Sequence, residues 1–459
     1  MKDINDPEFL KKITAVRPTP QQIAWQEMEF YGFIHYGMNQ FTNREWGDGT
    51  EDPQIFNPQK LDTDQWCESL AKATMTGVII TAKHHDGFCL WDTKTTTHSV
   101  MHSPYGKDIV AQLAKSCKKY GLKLGIYLSP WDRNNPNYGT GDAYNDIFCE
   151  QLTELMTNYG DLFCLWFDGA CGEGPNGKVQ QYDWERYYAL IRKYQPNAVI
   201  SVCGPDVRWC GNEGGHCRES EWSVVPASMA DNEKIQHQSQ KEDNAEFRKH
   251  VPSDGQDLGS RQVLIEHEEF IWYPAEVNTS IRPGWFYHEE EDDQLRTLEN
   301  LQEIYLNSVG GNATFLLNVP PHADGYLAAG DVKRLEELGN WIKEIFLERD
   351  LIMDNFASMT PRFGTDYREW YENPYLIFNL KKEITPKYLV IEEQFDKGQR
   401  IEAFTLYYKK DDDWLEAASG TNVGYRCISK IKDNCTSNKW MLEITARRGE
   451  IYFSNMKLH

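Results

Sequence analysis

The chain has no apolar run near the roughly 20 residues that a bilayer-spanning helix needs, so no membrane partner is expected. Basic residues are scarce beside acidic ones, 48 Lys and Arg against 70 Asp and Glu, which leaves a net charge of −22. Such a surface repels phosphates rather than gathering them, and it excludes nucleic acid as the expected partner. Paired cysteine motifs are also missing: the 11 Cys form neither C-x₂-C pairs nor a zinc pattern. Cys89, Cys164 and Cys203 fall in strand-like runs, where a free thiol acts as a small buried hydrophobe, and this favours a reducing compartment. The N-terminal stretch MKDINDPEFLKKITAVRPTP is charged and lacks the apolar centre of a signal peptide. A cytoplasmic location is therefore expected, and a secreted or periplasmic one only if the natural chain starts upstream. Internal repeats and low-complexity segments are absent as well.

What the chain does have is length and aromatic surface. Its 459 residues leave room for a large domain and a smaller one. Fifteen Trp and 24 Tyr offer flat apolar faces with polar edges, which suit the C–H faces and hydroxyls of sugars. Short β-branched and aromatic runs predict strands at 33–37, 77–85, 123–129, 161–169, 197–204, 219–225, 270–279 and 313–320. Helical patterns at 62–75, 107–120, 143–159, 182–194, 292–308 and 331–348 alternate with them, and 229–260 reads as a long loop. This order predicts an α/β fold, a (β/α)₈ TIM-like barrel over residues 1–349. From about 350 to 459 short alternating segments predict a C-terminal antiparallel β-sandwich.

The active site of such a barrel forms at the C-terminal ends of its strands, so polar residues there invite a chemical reading. The fourth strand ends Leu165-Trp166-Phe167-Asp168-Gly169, and a carboxylate after three large apolar residues is costly unless it faces the mouth. The second strand ends with His84 and His85, and the first supplies His35. Three His could hold a metal as in metal-dependent barrel hydrolases, but adjacent His would point to opposite sides if both stayed in strand geometry, and no further metal spacing supports them. Hydrogen bonding to substrate hydroxyls is the better reading, with neither metal nor cofactor. Trp46, Tyr127, Trp131 and Trp285 fall at strand ends or in the loops after them, placing aromatics around the mouth. Breaking a glycosidic bond needs a second carboxyl group. Glu213, Glu219 and Glu221 are candidates beyond the fifth strand, and spacing does not choose among them.

The motifs FIHYGMNQFTNREWGDGTEDP, GVIITAKHHDGFCLWDT, GIYLSPWDRN, LFCLWFDGA, RWCGNEGG, ESEWSVVP and GGNATFLLNVPPHADG together resemble the α-L-fucosidases of glycoside hydrolase family 29. The resemblance implies a retaining exo-glycosidase with Asp168 as nucleophile and Glu213, of the WxGNExG segment, as acid/base. By the same matching His35, Glu45, Trp46, His84, His85, Tyr127, Trp166, Arg208 and Trp285 line a fucose pocket. REWGDG and GNEGG resemble the branch acting on α-1,3/1,4-fucose of Lewis-type glycans, with a broad or α-1,2 preference as the alternative. Fucosylated oligosaccharides or glycoconjugates are then the partners, while the oligomeric state is not set by sequence. The sandwich resembles that branch's, shortened around 355–379, and is read as support completing one rim of the site.

Overall fold

Strands rich in Val, Ile, Leu and aromatic residues build one nearly closed parallel barrel. The computed structural model describes residues 3–240, 242, 257–348, 350–362 and 374–459. Its first six strands are β1 (Phe30–Ile34), β2 (Gly77–Lys83), β3 (Lys123–Leu128), β4 (Leu162–Phe167), β5 (Val199–Val202) and β6 (Arg208–Trp209). β7 (Val224–Pro226) and β8 (Phe270–Trp272) pair only with each other, and β9 (Ala275–Ser280) and β10 (Thr314–Asn318) complete the barrel. The order around the wall is β5-β4-β3-β2-β1-β10-β9-β6, and a parallel bridge between Ser201 and Val207 lies at the remaining seam.

Successive side chains of a strand face opposite sides, so each strand feeds two cores. Val78 and Ile80 of β2 pack outward with Ile126, Leu165, Trp66, Leu70 and Leu113, under the helices Thr63–Lys72 and Ile109–Tyr120. Ile79 packs inward with Tyr31, Phe33, Tyr127, Trp166 and Leu316, filling the barrel beneath its mouth. The helix predicted from residue 62 is capped by Asp62, which accepts from the Gln65 N–H at 3.0 Å. No helix among the described residues is long and apolar enough to cross a membrane.

Four sequence-based elements are corrected. The sixth strand is not 219–225 but the two-residue β6, because Glu221 is drawn into a buried ion pair with Arg208 and 224–226 joins the separate ribbon. The run 270–279 is split between β8 and β9 at Pro274, which has no N–H to give a ladder. Within 229–260 the helix Asn232–Gln238 forms, capped by Asp231, while 241 and 243–256 lie outside the described residues. The helix expected from 292 begins at Leu298, after a tight turn at Glu289–Gln294.

The C-terminal part comprises β11 (Phe356–Arg362), β12 (Tyr375–Ile384), β13 (Tyr388–Glu393), β14 (Ile401–Lys410), β15 (Asp413–Gly420), β16 (Cys427–Lys430), β17 (Ser437–Arg447) and β18 (Phe453–Leu458). They form two antiparallel sheets, β11-β12-β17-β14-β15 and β16-β13-β18, around one core of Phe378, Leu389, Ile391, Phe404, Leu406, Trp440 and Leu442. The segment expected to be shortened, 355–379, holds the paired β11 and β12, with 363–373 outside the described residues. Arg426 joins the sandwich to the barrel, pairing with Glu29 and Glu392 at 2.6 Å each.

Lys83 is fully buried at the end of β2, where its Nζ donates to Asp132 (3.0 Å), Gln151 (2.9 Å) and Tyr144 (3.2 Å). Lys83→Met strands the buried Asp132 without its cation. It should cost about 3–5 kcal/mol in urea unfolding; a loss under about 1 kcal/mol, typical of exposed pairs, would contradict this role.

Candidate active site

The strand ends enclose a cavity of about 700 Å³, counting its open mouth. His35, Glu45, Trp46, His84, His85, Tyr127, Trp166, Asp168, Glu213 and Trp285 all face it. Arg208 does not, which corrects the expectation from its motif. Arg208 and Trp209 are consecutive in β6 and point to opposite sides; Trp209 faces the cavity. Arg208 lies buried behind the wall, ion-paired with Glu221 and donating to the carbonyls of Tyr273 (2.9 Å) and Trp222 (3.0 Å).

Asp168 stands one residue past the fully buried β4, with its side chain 26% exposed toward the cavity. Tyr127 donates to Oδ2 at 3.0 Å and the Ala170 N–H to Oδ1 at 2.9 Å. Burial pushes this carboxyl above its ordinary value, and those two hydrogen bonds pull it back. Burial, and then the Asp168 charge, hold the Tyr127 phenol up, so it stays a donor. Gly169 lets Ser239 approach: a Cβ there would fall 2.0 Å from the Ser239 hydroxyl, which would have to rotate away.

Of the three carboxylates left open by spacing, geometry brings only Glu213 into the cavity. Glu221 is buried against Arg208, and Glu219 is exposed, its carbonyl accepting from Thr421 at 3.0 Å. The Glu213 loop is folded by Asn212, whose Oδ1 accepts from the Gly214 and His216 N–H groups at 3.1 Å each. Thr279 donates to the Glu213 carbonyl at 2.7 Å, and Arg296 donates to Thr279 at 2.7 Å. Trp285 donates from Nε1 to Glu213 Oε2 at 3.1 Å. Trp285 is itself held by Glu45, which accepts the backbone N–H groups of Trp285 (2.8 Å) and Phe286 (3.1 Å) and bonds His288 Nε2 (2.8 Å).

The three His are neutral hydrogen-bonding groups. His84 and His85 would point apart only in strand geometry, and that condition is not met because β2 ends at Lys83; both follow it, and their rings lie 4.1 Å apart facing the cavity. Burial, followed by Arg133 and His35, pushes His85 down to about 3, and burial pushes His35 down to about 4. Ser129 donates to the Trp131 carbonyl (2.7 Å), so its oxygen accepts from His85 Nδ1 (2.7 Å) and leaves a lone pair on Nε2. That Nε2 lies 3.8 Å from Asp168 Oδ2 and can accept from a hydroxyl. His35 Nδ1 is likewise committed, to Asn318 Oδ1 at 2.9 Å. Among the described residues no cluster of His, Cys, Asp or Glu is arranged to hold a metal ion.

Phe33, Trp209, Asn278, Phe286, Ser239 and Gln240 also face the cavity and were not found from the sequence. Phe33 had a signal, lying two residues before His35 on one strand face. Asn278 had one too, a polar residue inside a strand, whereas Ser239 and Gln240 lie in a segment without periodicity. The sandwich contributes no described lining residue, so the rim expected from it is not seen; it grips the barrel behind the site instead, Gln399 accepting from the Ser223 N–H at 3.0 Å.

Two carboxylates and a wall of aromatic rings around one cavity at the mouth of a barrel define a glycoside hydrolase. Residues 12–345 match the family described as alpha-L-fucosidase. Alpha-L-fucosidase 1 of Arabidopsis thaliana is 36% identical over 96% of this chain and 87% of its own. A solved Bacteroides ovatus structure, assigned as an α-L-fucosidase, superposes with a TM-score of 0.87 at 42% identity, covering 98% of this chain and 76% of the other. A Ruminococcus gnavus family 29 fucosidase solved with fucose superposes at 0.80 with 26% identity, covering 97% of this chain and 95% of its own. The chain belongs to the α-L-fucosidases of glycoside hydrolase family 29, and its activity is the release of fucose from fucosylated glycans.

Burial works against the charged form of His288, but the Glu45 hydrogen bond and charge outweigh it, so its pKa lies above the ordinary 6.5. A group raised in the folded state contributes stability that is complete below pH 6.5 and lost as pH rises through the raised value. Wild type should lose urea resistance across that window, and His288→Gln should flatten the loss. Equal slopes in the two proteins would refute the linkage.

Proposed function

We propose that the enzyme is a retaining exo-α-L-fucosidase in which Asp168 is the nucleophile and Glu213 the acid/base. The observation that carries this reading is that these two carboxylates face one cavity from independently anchored loops, while Glu219 and Glu221 do not. In the first step an Asp168 oxygen attacks the anomeric carbon as the glycosidic C–O bond breaks, and Glu213 gives its proton to the leaving oxygen. In the second, Glu213 takes a proton from water, the water oxygen attacks the anomeric carbon, and the bond to Asp168 breaks. His35, His84, His85 and Glu45 address the ring hydroxyls, and Trp46, Tyr127, Trp166 and Trp285 form the apolar wall against the C–H faces and the methyl group. The REWGDG and GNEGG segments support a preference for α-1,3/1,4-linked fucose of Lewis-type glycans. We read residues 1–349 as the catalytic unit and 350–459 as a sandwich that supports it.

Asp168→Gly should lower turnover on an aryl fucoside by on the order of 10³-fold or more, with the fold intact. Azide in the vacated nucleophile position should then give the β-fucosyl azide. In Glu213→Ala, azide takes the place of water and should give the α-fucosyl azide. Near wild-type rates for either variant, or the same anomer from both, would contradict the assignment. Among an aryl fucoside, 2′-fucosyllactose and Lewis a and x trisaccharides, release should be fast only from the Lewis pair. Equal rates across the panel would favour the broad-specificity alternative.

A further inference from the structure

Beneath the cavity, on the inner face of the barrel, lies a carboxyl group that the proposed chemistry does not use. Glu276 of β9 is fully buried among the inner core, and among the described residues it makes no salt bridge. A carboxyl in such a place is costly unless donors satisfy it. Two do. Trp166 Nε1 donates to its Oε1 at 2.7 Å, and the Tyr31 hydroxyl donates to its Oε2 at 2.5 Å. Tyr31 is fixed in turn by Trp25 Nε1 at 2.9 Å and lies 3.0 Å from the Thr314 hydroxyl. With no cation beside it, burial raises the Glu276 carboxyl to about 7.

The indole that Glu276 holds is part of the sugar pocket. Trp166 stacks on Tyr127 with centroids 5.3 Å apart and planes 24° apart, and Tyr127 is the donor to Asp168. Phe33 meets the edge of the same indole at 5.3 Å. Along β9 the inward positions repeat the device: Asn278 accepts from the Nε1 of Trp209 at 2.8 Å, and Ser280 accepts from Asn318 at 2.9 Å. The stack adds only a small free energy beyond burial, which leaves the ring some freedom to shift. A hydrogen bond at Nε1 to a fixed acceptor removes that freedom.

We infer that Glu276 is a positioning residue for fucose binding, locking the Trp166 ring as a preformed wall of the pocket. It touches no substrate and acts through Trp166. The inference rests on the reading of the cavity as the fucose site.

The test compares Glu276→Asp, whose carboxyl is withdrawn by one methylene, with Glu276→Gln, whose amide oxygen can still accept from Trp166. Both are made in the full chain and assayed on an aryl α-L-fucoside, with fucose as competitor. The Asp variant should raise KM and the fucose Ki about tenfold, the scale of one lost buried hydrogen bond, with kcat within threefold. The Gln variant should stay within threefold of wild type in all three. A purely structural residue would lower the unfolding midpoint and leave these constants alone. The inference is overturned if the Asp variant keeps KM and Ki within twofold, lowers kcat alone, or is matched by the Gln variant. Trp166→Ala, which removes the ring itself, separates the two levels. If it leaves the fucose Ki unchanged, the pocket reading fails; if it weakens fucose while the Asp variant does not, only the role of Glu276 fails.

Discussion

Asp168 is a carboxylate kept among aromatic rings at the end of a strand whose every residue is buried, and the pocket is organised around the cost of holding it there. Burial alone would drive it toward the neutral acid, which is a poor nucleophile. A lysine or arginine in contact would neutralise that cost but would also tie up the attacking oxygens. Among the described residues its donors are neutral instead: the Tyr127 hydroxyl and the backbone N–H groups of Ala170 and Gly169. The imidazoles around it are neutral as well, because their own burial strips their protons. In the proposed mechanism such a site would bind hydroxyls by hydrogen bonds while leaving Asp168, the proposed nucleophile, poised.

The same chain spends its cations elsewhere. Lys83 neutralises Asp132, Arg208 neutralises Glu221 and Arg426 bridges Glu29 and Glu392, all behind or below the mouth. These pairs hold the frame; they set the path of β6 and the seat of the sandwich. The walls are then aligned by single directed bonds. Glu45 holds the Trp285 loop, Trp285 reaches Glu213, and Glu276 fixes Trp166. Displacing any one of them shifts a ring rather than unfolding a strand, so these bonds affect affinity and rate more than global stability.

The barrel was legible because its strands and helices carry the two periodicities cleanly, and because apolar strands ending in Asp168 or in His84 and His85 mark the mouth. The failures have physical causes. A two-residue strand such as β6 has no periodicity to read, and it is held in the sheet by its neighbours' backbone rather than by its own pattern. Arg208 is expected in the pocket because it shares the RWCGNEGG motif, and its family resemblance, with Glu213. Only the register of β6, with Trp209 inward, shows that it faces the other way. Glu213 could not be separated from Glu219 and Glu221 by spacing, since the choice is made by distant partners: Arg208 claims Glu221 and Trp285 meets Glu213. Glu276 sits in a strand beside Ala275 and Val277, where nothing local announces the Trp166 indole 110 residues away in sequence.

The account stands on Asp168 forming a covalent bond to fucose, and trapping that bond tests it most directly. A 2-deoxy-2-fluoro-fucosyl fluoride slows both steps but the second more, so the fucosyl-enzyme should accumulate. Proteolysis and mass spectrometry should then find one added 2-fluorofucosyl group, on Asp168. A label on another carboxylate, or inactivation-free turnover to fluorofucose of inverted configuration with no label, would contradict it.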